Sequence, residues 1–577
     1  MRSTTKITPA LPKRRPQVRG LLCAGTVFCA IAVSFYCIWM LDRGFEITDE
    51  AYYILLAKNA DPSMYYISAQ HWVMSLIWHI TGSIYSFRAA GLIILISSAT
   101  LLSVGSYFSC VKMGLIERDR LSISIVIASA VVGSLFYATT INLSPNYNLL
   151  ASAAAYSATG LFLIGCHCSL RTVERVAVYS LAGCAIGVEV VCKASSGVST
   201  FAILLVWLGF FERSFLRSIA ISLIMTLTAL CFVAILMWAN TTFGVAQHAL
   251  SEGLALFRIV QSEAISVRLI RYALQFWQYF STSLITFAIP VVLCAAYTIT
   301  GRAIFLKMAV VGLVAVLFWG RHFIGGWSNG AALSPPCAVF SMFLITLIAA
   351  FSVWCRDLTA AALFCGLILL PYSVAMGTGN ALFTQVVVTL SPWATVAALL
   401  AVASYPGEAD RNAMAAMTLV FIATLSLQIV TSGDRPYHMA KPLRNQSKSV
   451  PLPNLGNIKV DEDTAKFLQE VNLAVEKCDV APGTVFWGLY NIPGVALAMD
   501  TFPVATPWLN NAEQANFVID RRPDILDQPS VVVLNDEGRG EMPPIPEKLM
   551  NSPAGLRLCG ATTFPYANQR IEIWKRG

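Results

Sequence analysis

The sequence predicts an α-helical polytopic membrane protein with a soluble α/β domain at its C-terminal end. Of its 577 residues, 56% are hydrophobic and only 12% are charged, whereas soluble globular domains carry about 25% charged residues. The apolar residues are collected in long runs that short basic loops separate. Residues 433–577 hold 17 of the 32 acidic residues, a density normal for a protein in water. These features exclude a soluble enzyme, a disordered scaffold and a fibrous repeat.

The chain begins with about twenty basic and polar residues, and an apolar run at 21–41 follows them. This run is longer than the ~7–15 residues of a signal-peptide core, and no A-x-A site follows it. We therefore interpret it as an uncleaved first membrane helix. Hydropathy predicts about thirteen spans in all, at 21–41, 89–110, 121–139, 148–166, 177–192, 198–211, 218–239, 281–300, 308–320, 336–354, 360–376, 385–404 and 413–430.

An odd number of spans places the two chain ends on opposite sides, and loop charge assigns the sides. The short loops at 140–147 and 377–384, on the side of the tail, contain no basic residue. Basic loops are cytoplasmic, so we expect a cytoplasmic N-terminus and a tail outside. Because the basic residues are spread over several loops, the net charge of +8 does not indicate nucleic-acid binding. The basic residues of the opposite loops are Lys112, Arg118, Arg120, Arg171, Arg175, Arg213, Arg217, Arg302, Lys307, Arg356 and Arg411.

Three outer segments, at 42–88, 240–280 and 321–335, are too long to be simple turns. The first two mix aromatic and apolar residues with polar ones, which is typical of amphipathic helices that lie in the membrane interface. The chain therefore divides into a membrane domain over 1–432, with interfacial helices in its first outer loop, and a soluble domain over 433–577.

The soluble tail has the pattern of a small α/β domain. A basic linker precedes an amphipathic helix at 463–476. Cys478 and Cys559 either form a disulfide, if the domain faces an oxidising compartment, or remain two buried thiols. Strand-like runs separated by turn residues lie at 484–489, 495–498, 530–534 and 570–574.

Adjacent carboxylates, Asp49 and Glu50, stand just beyond the first helix in the stretch FEITDEAYY at 45–53. Carboxylates at a membrane surface are costly unless they are solvated or used. Consecutive side chains of a helix project about 100° apart, so the two carboxylates face different surroundings. Either they serve a reaction centre, or they form a solvated acidic turn in which Thr48 or Asp49 caps the next helix.

The motif Asp49-Glu50-x-x-Tyr53, in the first outer loop after a basic N-terminus and one helix, resembles that of the C-type (GT-C) glycosyltransferases. The pattern is closest to the protein O-mannosyltransferases and the lipid A aminoarabinose transferases. Their order of many helices, a long first outer loop and a C-terminal outer domain also matches. The resemblance implies a GT-C-like membrane domain in which Asp49 is the catalytic base and Glu50 and Tyr53 contact substrate.

The same loop extends the resemblance. His71-Trp72, Gly82 and Arg88 resemble an aromatic interfacial helix followed by Gly and Arg. The resemblance implies that His71 and Arg88 contact substrate. Some members have a phosphate-binding Lys ahead of this helix, where this chain has Tyr65-Tyr66.

Lys193 is the second match, since many relatives have a Lys followed shortly by Gly at the outer end of a short helix. Gly197 fills that second position here. The functional interpretation is that Lys193 neutralises a lipid phosphate. Alternatively, Lys193 and Glu189 form a structural i,i+4 ion pair that keeps both charges tolerable in the membrane.

The other candidate substrate-binding residues lie in outer loops and turns. Arginine suits a departing phosphate, although a lone Arg also snorkels to the interface. The side-chain amides of residues in polar turns can form hydrogen bonds with sugar hydroxyls, although such residues are also common in turns that have no binding role. These candidates are Asn146, Arg258, Arg268, Arg321, His322 and Asn380.

The resemblance implies an inverting hexosyl- or pentosyltransferase of the bacterial inner membrane. It would move a sugar from a polyprenyl-phosphate donor to a cell-envelope acceptor in the periplasm: lipid A, core saccharide, another lipid or protein. Donor, acceptor and membrane are the expected partners, and nucleic acid is not. Asp49 and Glu50 could bind a divalent cation, but no full ligand set is visible.

A transporter or flippase of lipid-linked glycans is the alternative. Transporters usually have charges within spans or half-helices repeated between two halves. This sequence has no internal repeat, and Glu189 is the only acid well inside a predicted span. An oligosaccharyltransferase is disfavoured because the chain lacks a WWD motif. The hydrophilic tail also favours an enzyme.

Overall fold

Helices make up the first three quarters of the chain, and helices and strands alternate in the last quarter. The computed structural model describes residues 17–59, 61, 64–261, 263–323, 335–354, 357–377, 379–405, 407–550 and 555–577. The helices are α1 (Gln17–Met40), α2 (Asp49–Lys58), α3 (His71–Thr81), α4 (Ile84–Lys112), α5 (Arg120–Leu135), α6 (Tyr147–His167), α7 (Thr172–Cys192), α8 (Ala194–Phe211), α9 (Phe215–Asn240), α10 (Phe243–Val260), α11 (Ile265–Thr286), α12 (Ala288–Thr300), α13 (Ala303–Phe323), α14 (Pro335–Trp354), α15 (Leu358–Ala375), α16 (Leu382–Val386), α17 (Ser391–Val402), α18 (Glu408–Ser432), α19 (Glu462–Lys477), α20 (Pro493–Ala498), α21 (Ala512–Arg521) and α22 (Glu547–Met550). The strands are β1 (Lys448–Leu452), β2 (Gly456–Val460), β3 (Val485–Leu489), β4 (Phe502–Pro503), β5 (Ser530–Asn535), β6 (Leu556–Phe564) and β7 (Gln569–Arg576).

The thirteen predicted spans fall on helical segments, two of them (281–300 and 385–404) on more than one α-helix, and the protein is a multi-pass membrane protein. Within the described residues, nine helices are long and apolar enough to cross a membrane: α1, α4–α9, α15 and α18. The predicted continuous span at 281–300 is wrong, because the chain bends by 84° between α11 and α12 at Phe287. Shorter apolar helices lie within α13, α14 and α17.

Polar side chains in the loops fix where several helices begin. Ser83, Asp119, Asn146 and Asp357 each accept a hydrogen bond from a backbone N–H in the first turn of α4, α5, α6 and α15 respectively. These caps satisfy N–H groups that have no partner within the helix. Gly82 ends α3 with a left-handed φ of 63°, which separates α3 from α4.

The long segments predicted to contain interfacial helices are helical, and their position in the membrane interface stays a prediction. The first outer segment contains α2 and α3, and the second contains α10 and the beginning of α11. Most of the third outer segment, at 321–335, lies outside the described residues.

The C-terminal region folds into a hairpin of β1 and β2 and a five-stranded mixed sheet in the order β4-β3-β5-β7-β6. In this sheet β3 runs parallel to β4 and β5, whereas β7 is antiparallel to β5 and β6. The predicted helix and three of the predicted strands match α19, β3, β5 and β7. The predicted strand at 495–498 is wrong, because this stretch forms α20. Pro493 lies in the first turn of α20, where a backbone N–H would have no partner within the helix, so the N–H that proline lacks costs the helix no hydrogen bond.

Cys478 and Cys559 form a disulfide between the end of α19 and β6, with their Cα atoms 5.5 Å apart. The two cysteines are separated by 81 positions in the sequence, so the bond closes a long loop. Of the two interpretations that the sequence left open, the structure contains the disulfide.

The soluble domain is attached to the first outer loop through main-chain hydrogen bonds as well as side chains. These contacts hold the domain over α2 and the loop that precedes it. The main-chain bonds run from Gly44 N to Lys459 O at 2.8 Å, Lys459 N to Asp42 O at 2.7 Å, Tyr65 N to Ala505 O at 2.7 Å and Gly494 N to Ile47 O at 2.8 Å.

We predict that the disulfide stabilises the soluble domain. Closing a long loop typically contributes about 2–4 kcal/mol to the free energy of unfolding. Cys478→Ser should therefore lower the thermal unfolding midpoint of the full chain in detergent, measured by intrinsic fluorescence. The control Cys231→Ser changes an exposed thiol of α9 and should leave the midpoint unchanged. A midpoint that is equally unaffected by Cys478→Ser and by reductant would contradict the prediction.

Candidate active site

The helix that carries the acidic motif, α2, is capped by Glu46. The Glu46 side chain is 1% exposed, and its oxygens accept hydrogen bonds from the backbone N–H of Thr48 at 2.7 Å and of Glu50 at 2.8 Å. These groups would otherwise lack partners at the start of the helix. The capping role that the sequence suggested for Thr48 or Asp49 therefore belongs to Glu46, and the Asp49 carboxylate does not have to cap α2.

Glu50 forms a buried ion pair with Arg88 of α4. The Arg88 guanidinium donates to both carboxylate oxygens, at 2.7 and 2.6 Å, and the two side chains are 1% and 2% exposed. Asn142 Nδ2 and Ser144 Oγ donate to the same carboxylate, each at 2.6 Å. Glu50 is thus fully bonded and away from solvent.

The other N–H groups of Arg88 hold the turn that links α1 to the acidic motif. They donate to the carbonyls of Leu41 and Arg43 at 2.9 Å and of Gly44 at 2.8 Å. Glu50 and Arg88, which the resemblance assigned to substrate binding, are therefore bonded to each other and to backbone beneath the site.

Asp49 faces away from this pair, toward the soluble domain. Its Oδ2 accepts a hydrogen bond of 2.6 Å from the Tyr437 hydroxyl. Burial, reinforced by the nearby Glu46 carboxylate, raises the pKa of Asp49 to about 6, while Tyr437 and His438 act in the opposite direction. Burial raises the pKa of Tyr437, so this phenol remains a donor at neutral pH.

An aromatic stack supports Tyr437. Its ring lies on the His438 ring, with centroids 3.8 Å apart, and the His438 ring also contacts the Tyr566 ring of the soluble domain, with centroids 5.1 Å apart. His438 Nδ1 lies 2.9 Å from Thr48 Oγ1 and 3.4 Å from Glu46 Oε1. The linker after α18 is thereby fixed against the acidic motif.

A cavity of about 280 Å³, here called the base cavity, has Asp49 in its wall. Aromatic side chains of the first outer loop form one side, and α10 forms another. The soluble domain closes it with Trp508, whose ring packs edge-on against Tyr52 with centroids 5.7 Å apart. Trp508 Nε1 donates to Asn510 Oδ1 at 2.7 Å. The cavity is therefore built from both domains.

A larger cavity of about 810 Å³, here called the lysine cavity, adjoins it and contains Lys193. The two cavities share five wall residues, so they are neighbouring compartments of one site. The shared residues are Tyr52, Tyr66, Ile67, Phe257 and Gln261. The walls of the lysine cavity are mainly apolar and include Val191, Val233, Met237, Phe243 and Leu250.

Lys193 lies at the break between α7 and α8, and its backbone is not helical. Its Nζ donates to the Val374 carbonyl at 2.8 Å and stands 5.9 Å from the centre of the Tyr147 ring. Glu189 instead accepts hydrogen bonds from the hydroxyls of Ser196 and Thr200. Among the described contacts no salt bridge joins Glu189 to Lys193, so the i,i+4 ion pair considered from the sequence is not formed.

Tyr53 and His71 lie beside the two cavities. Tyr53 is buried in the wall of the base cavity, 6.0 Å from the Tyr147 ring. His71 is buried against Tyr66, with ring centroids 4.6 Å apart, and its Nδ1 has no hydrogen-bond partner among the described residues. Burial lowers the pKa of His71 to about 4, so the ring is neutral at pH 7.

The other predicted residues are scattered. Asn380 lines the lysine cavity, whereas Asn146 caps α6 and accepts a hydrogen bond from Tyr137. Arg258 is exposed on α10, and Arg268 donates to Glu263 at 3.3 Å. Asn146, Arg258 and Arg268 line neither cavity. The side chains of Arg321 and His322 lie outside the described residues.

Several residues of the site were not among the sequence predictions. They come from the linker and the soluble domain: Tyr437, His438, Thr506, Trp508, Asn510 and Gln514. No local pattern distinguishes them, because their position depends on how the domain packs on the first outer loop. Among the described residues there is no group of three His, Cys, Asp or Glu side chains that could hold a metal ion.

No family model and no curated protein matches the sequence. The fold resembles that of ArnT from Cupriavidus metallidurans bound to undecaprenyl phosphate, with a TM-score of 0.42 and 12% sequence identity over 95% of this chain and 98% of that one. It also resembles AglB, an oligosaccharyltransferase from Archaeoglobus fulgidus, with a TM-score of 0.47 and 12% identity over 89% of this chain and 69% of that one. The arabinosyltransferase EmbB from Mycobacterium smegmatis has a TM-score of 0.30 and 13% identity over 74% of this chain and 42% of its own. These TM-scores are below 0.5 and the identities are 12–13%, so the likeness concerns the fold alone.

We predict that the Glu50–Arg88 pair is required for folding of the site. Removing one partner leaves a buried charge without compensation, which typically costs about 3–5 kcal/mol. Arg88→Met should therefore lower the thermal midpoint and the yield of folded protein sharply, and Arg88→Met with Glu50→Gln should recover part of the loss. The control Arg258→Met changes an exposed arginine and should have little effect. Equal stability of Arg88→Met and Arg258→Met would contradict this role.

Proposed function

We propose that this protein is an inverting glycosyltransferase that uses a polyprenyl-phosphate sugar as its donor. The observation that carries the proposal is the pairing of two adjoining cavities with different chemistry. One contains a carboxylate suited to act as a base, and the other contains a lysine at the end of an apolar chamber. A lipid-linked sugar phosphate has the same sequence of parts: an apolar chain, an anionic phosphate and a polar sugar.

The lysine cavity suits the lipid and its phosphate. Its apolar walls on α9 and α10 would surround the prenyl chain, while Lys193 would lie against the phosphate. The leaving group departs as a lipid phosphate anion, and a cation placed at that charge stabilises the transition state. Among the described residues Lys193 Nζ has one hydrogen bond, to Val374 O at 2.8 Å, and an ammonium has two further N–H groups to offer.

The base cavity suits the acceptor hydroxyl. A general base works best when its pKa is near the working pH and when it reaches the proton that it removes. The pKa of Asp49, raised to about 6, leaves the carboxylate largely ionised at pH 7 yet more basic than an exposed aspartate. Because Tyr437 occupies Oδ2, Oδ1 would accept the proton.

The proposed step is a single displacement. Asp49 takes the proton of the acceptor hydroxyl, the acceptor oxygen forms a bond to the anomeric carbon, and the bond from that carbon to the phosphate oxygen breaks. Attack opposite the phosphate inverts the anomeric centre. No water has to be activated, so the paired carboxylates of glycosidases are not needed.

Glu50 and Arg88 have a positioning role in this scheme. They are buried and bonded to each other beneath α2, so we assign them to orienting the helix that carries Asp49 rather than to contact with substrate. The divalent cation considered from the sequence gains no support here, since both Glu50 oxygens already accept hydrogen bonds.

We further propose that the site faces the periplasm of a bacterial inner membrane, with a cell-envelope acceptor such as lipid A, core saccharide, another lipid or protein. The basic loops on the opposite side support this orientation. The disulfide of the soluble domain also supports it, because such bonds persist in oxidising compartments.

Asp49→Asn tests the proposal. Membranes that contain either the wild type or this variant, at equal expression, would be supplied with a radiolabelled polyprenyl-phosphate sugar pool. Label should leave the lipid fraction in the wild type and fall by at least ~10²-fold in Asp49→Asn, the scale of general-base catalysis. Asp520→Asn, an exposed change in the soluble domain, is the control. Equal transfer by Asp49→Asn and wild type would refute the assignment, and lipid flipping without transfer would favour the transporter.

We also predict that Tyr437 sets the pH range of the reaction. The base acts only when ionised, so activity should be present above pH 6 and lost as the pH falls through about 6. The Tyr437 hydrogen bond lowers the pKa of Asp49, so Tyr437→Phe should raise it and move the acid limb of the kcat/KM profile to higher pH. Tyr85→Phe, an exposed tyrosine of α4, should leave the profile unchanged. An acid limb that stays in place or moves to lower pH in Tyr437→Phe would contradict this.

A further inference from the structure

The walls of the two cavities contain very few charged groups. Among the described residues that line them, Asp49 and Lys193 are the only ones with ionised side chains. The rest are aliphatic, aromatic, hydroxyl and amide side chains. A reaction site for a phosphate-linked substrate thus contains one anion and one cation in its walls.

If the proposed function holds, on which this inference rests, both charges already have partners in the reaction. Lys193 lies against the donor phosphate, and Asp49 takes the acceptor proton. Other carboxylates near the cavities are also engaged: Glu252 pairs with Arg521 at 3.3 Å, and Glu263 pairs with Arg271 at 2.9 Å. Glu189 is fully buried and lines neither cavity: its Oε1 accepts hydrogen bonds from Ser196 and Thr200, and its Oε2 has no hydrogen-bond partner among the described residues.

We propose that the transferred sugar is uncharged, a neutral hexose or pentose rather than an amino sugar or a uronic acid. Moving an ammonium or a carboxylate group out of water is expensive unless an opposite charge receives it. An amino sugar would place its ammonium in the same chamber as Lys193, where the base Asp49 is the only carboxylate among the described residues that line the cavities. A uronic acid would find no cation besides Lys193 among those lining residues.

The amide groups in the walls fit hydroxyls instead. The Oε1 atoms of Gln70 and Gln261 are buried and have no hydrogen-bond partner among the described residues. Both residues line the lysine cavity, and Gln261 belongs to the shared wall. A sugar hydroxyl can both donate and accept, so it satisfies either end of such an amide.

The aromatic residues of the shared wall complete a site for a neutral sugar. Tyr52, Tyr66 and Phe257 present rings between the base and the lysine. Their apolar faces suit the C–H faces of a pyranose or furanose ring, while the glutamine amides reach its hydroxyls. The transferred sugar would thus lie between Asp49 and Lys193, where the anomeric carbon must be.

Matched donors test the inference. Polyprenyl phosphates would carry pairs that differ at one group: glucose and glucosamine, galactose and galactosamine, arabinose and 4-amino-4-deoxyarabinose, with glucuronic acid as the anionic case. Affinity for the purified full-length protein would be measured by displacement of labelled polyprenyl phosphate, which does not require transfer. Within the pair that binds most tightly, the neutral sugar should bind at least about tenfold more tightly than its charged counterpart.

A charge-introducing variant makes the test independent of sugar identity. Gln261→Glu places a carboxylate in the shared wall and should narrow or reverse the preference against the amino sugar. Gln528→Glu, an exposed change in the soluble domain, should leave the preference unchanged. This pattern would support the inference.

These measurements distinguish failure of the neutral-sugar inference from failure of the proposed glycosyltransferase function. Equal or tighter binding of the amino sugar or the uronic acid by the wild type would overturn the inference and leave the proposed function standing. So would an unchanged preference in Gln261→Glu. If neither bare polyprenyl phosphate nor any of the donors binds, the proposed function fails and the inference with it.

Discussion

The arrangement of the site depends on the buried ion pair between Arg88 and Glu50. Arg88 lies in a membrane helix, and a single guanidinium joins α4 to the first turn of α2 and to three carbonyls of the 41–44 turn. Asn142 and Ser144 bring a third loop to the same carboxylate. Because consecutive helical residues point in different directions, fixing Glu50 in the core directs Asp49 to the cavity.

The second constraint is that the soluble domain completes the site. Tyr437 reaches Asp49 from the linker, and Trp508 closes the base cavity against Tyr52. The domain is held in place by main-chain hydrogen bonds to the first outer loop, so the position of these side chains is coupled to the acidic motif itself. In this way a domain without a catalytic pattern of its own supplies part of the walls of the candidate site.

Much of the fold could be predicted from the sequence, because hydropathy and loop charge report directly on membrane helices. The acidic pair at 49–50 stands out beside a membrane, but its chemistry leaves a solvated turn equally open, and it was the resemblance to the GT-C enzymes that selected Asp49 as the base. The side chains that bond to the acidic motif could not be predicted. Arg88 pairs with Glu50 across 38 residues, and only tertiary structure brings them together. The ion pair of Lys193 with Glu189, one of the two alternatives from the sequence, is not formed because the helix ends at Lys193, so the helical spacing no longer aligns the two side chains.

If the two cavities form one donor site, the donor phosphate lies at Lys193 and the reaction takes place at Asp49. The most direct test is a cryo-EM structure of the full-length protein with bound polyprenyl phosphate. We expect the phosphate within hydrogen-bond distance of Lys193 Nζ and the first prenyl units along the apolar walls of α9 and α10. Lipid bound elsewhere, with Lys193 still bonded only to Val374, would contradict the account.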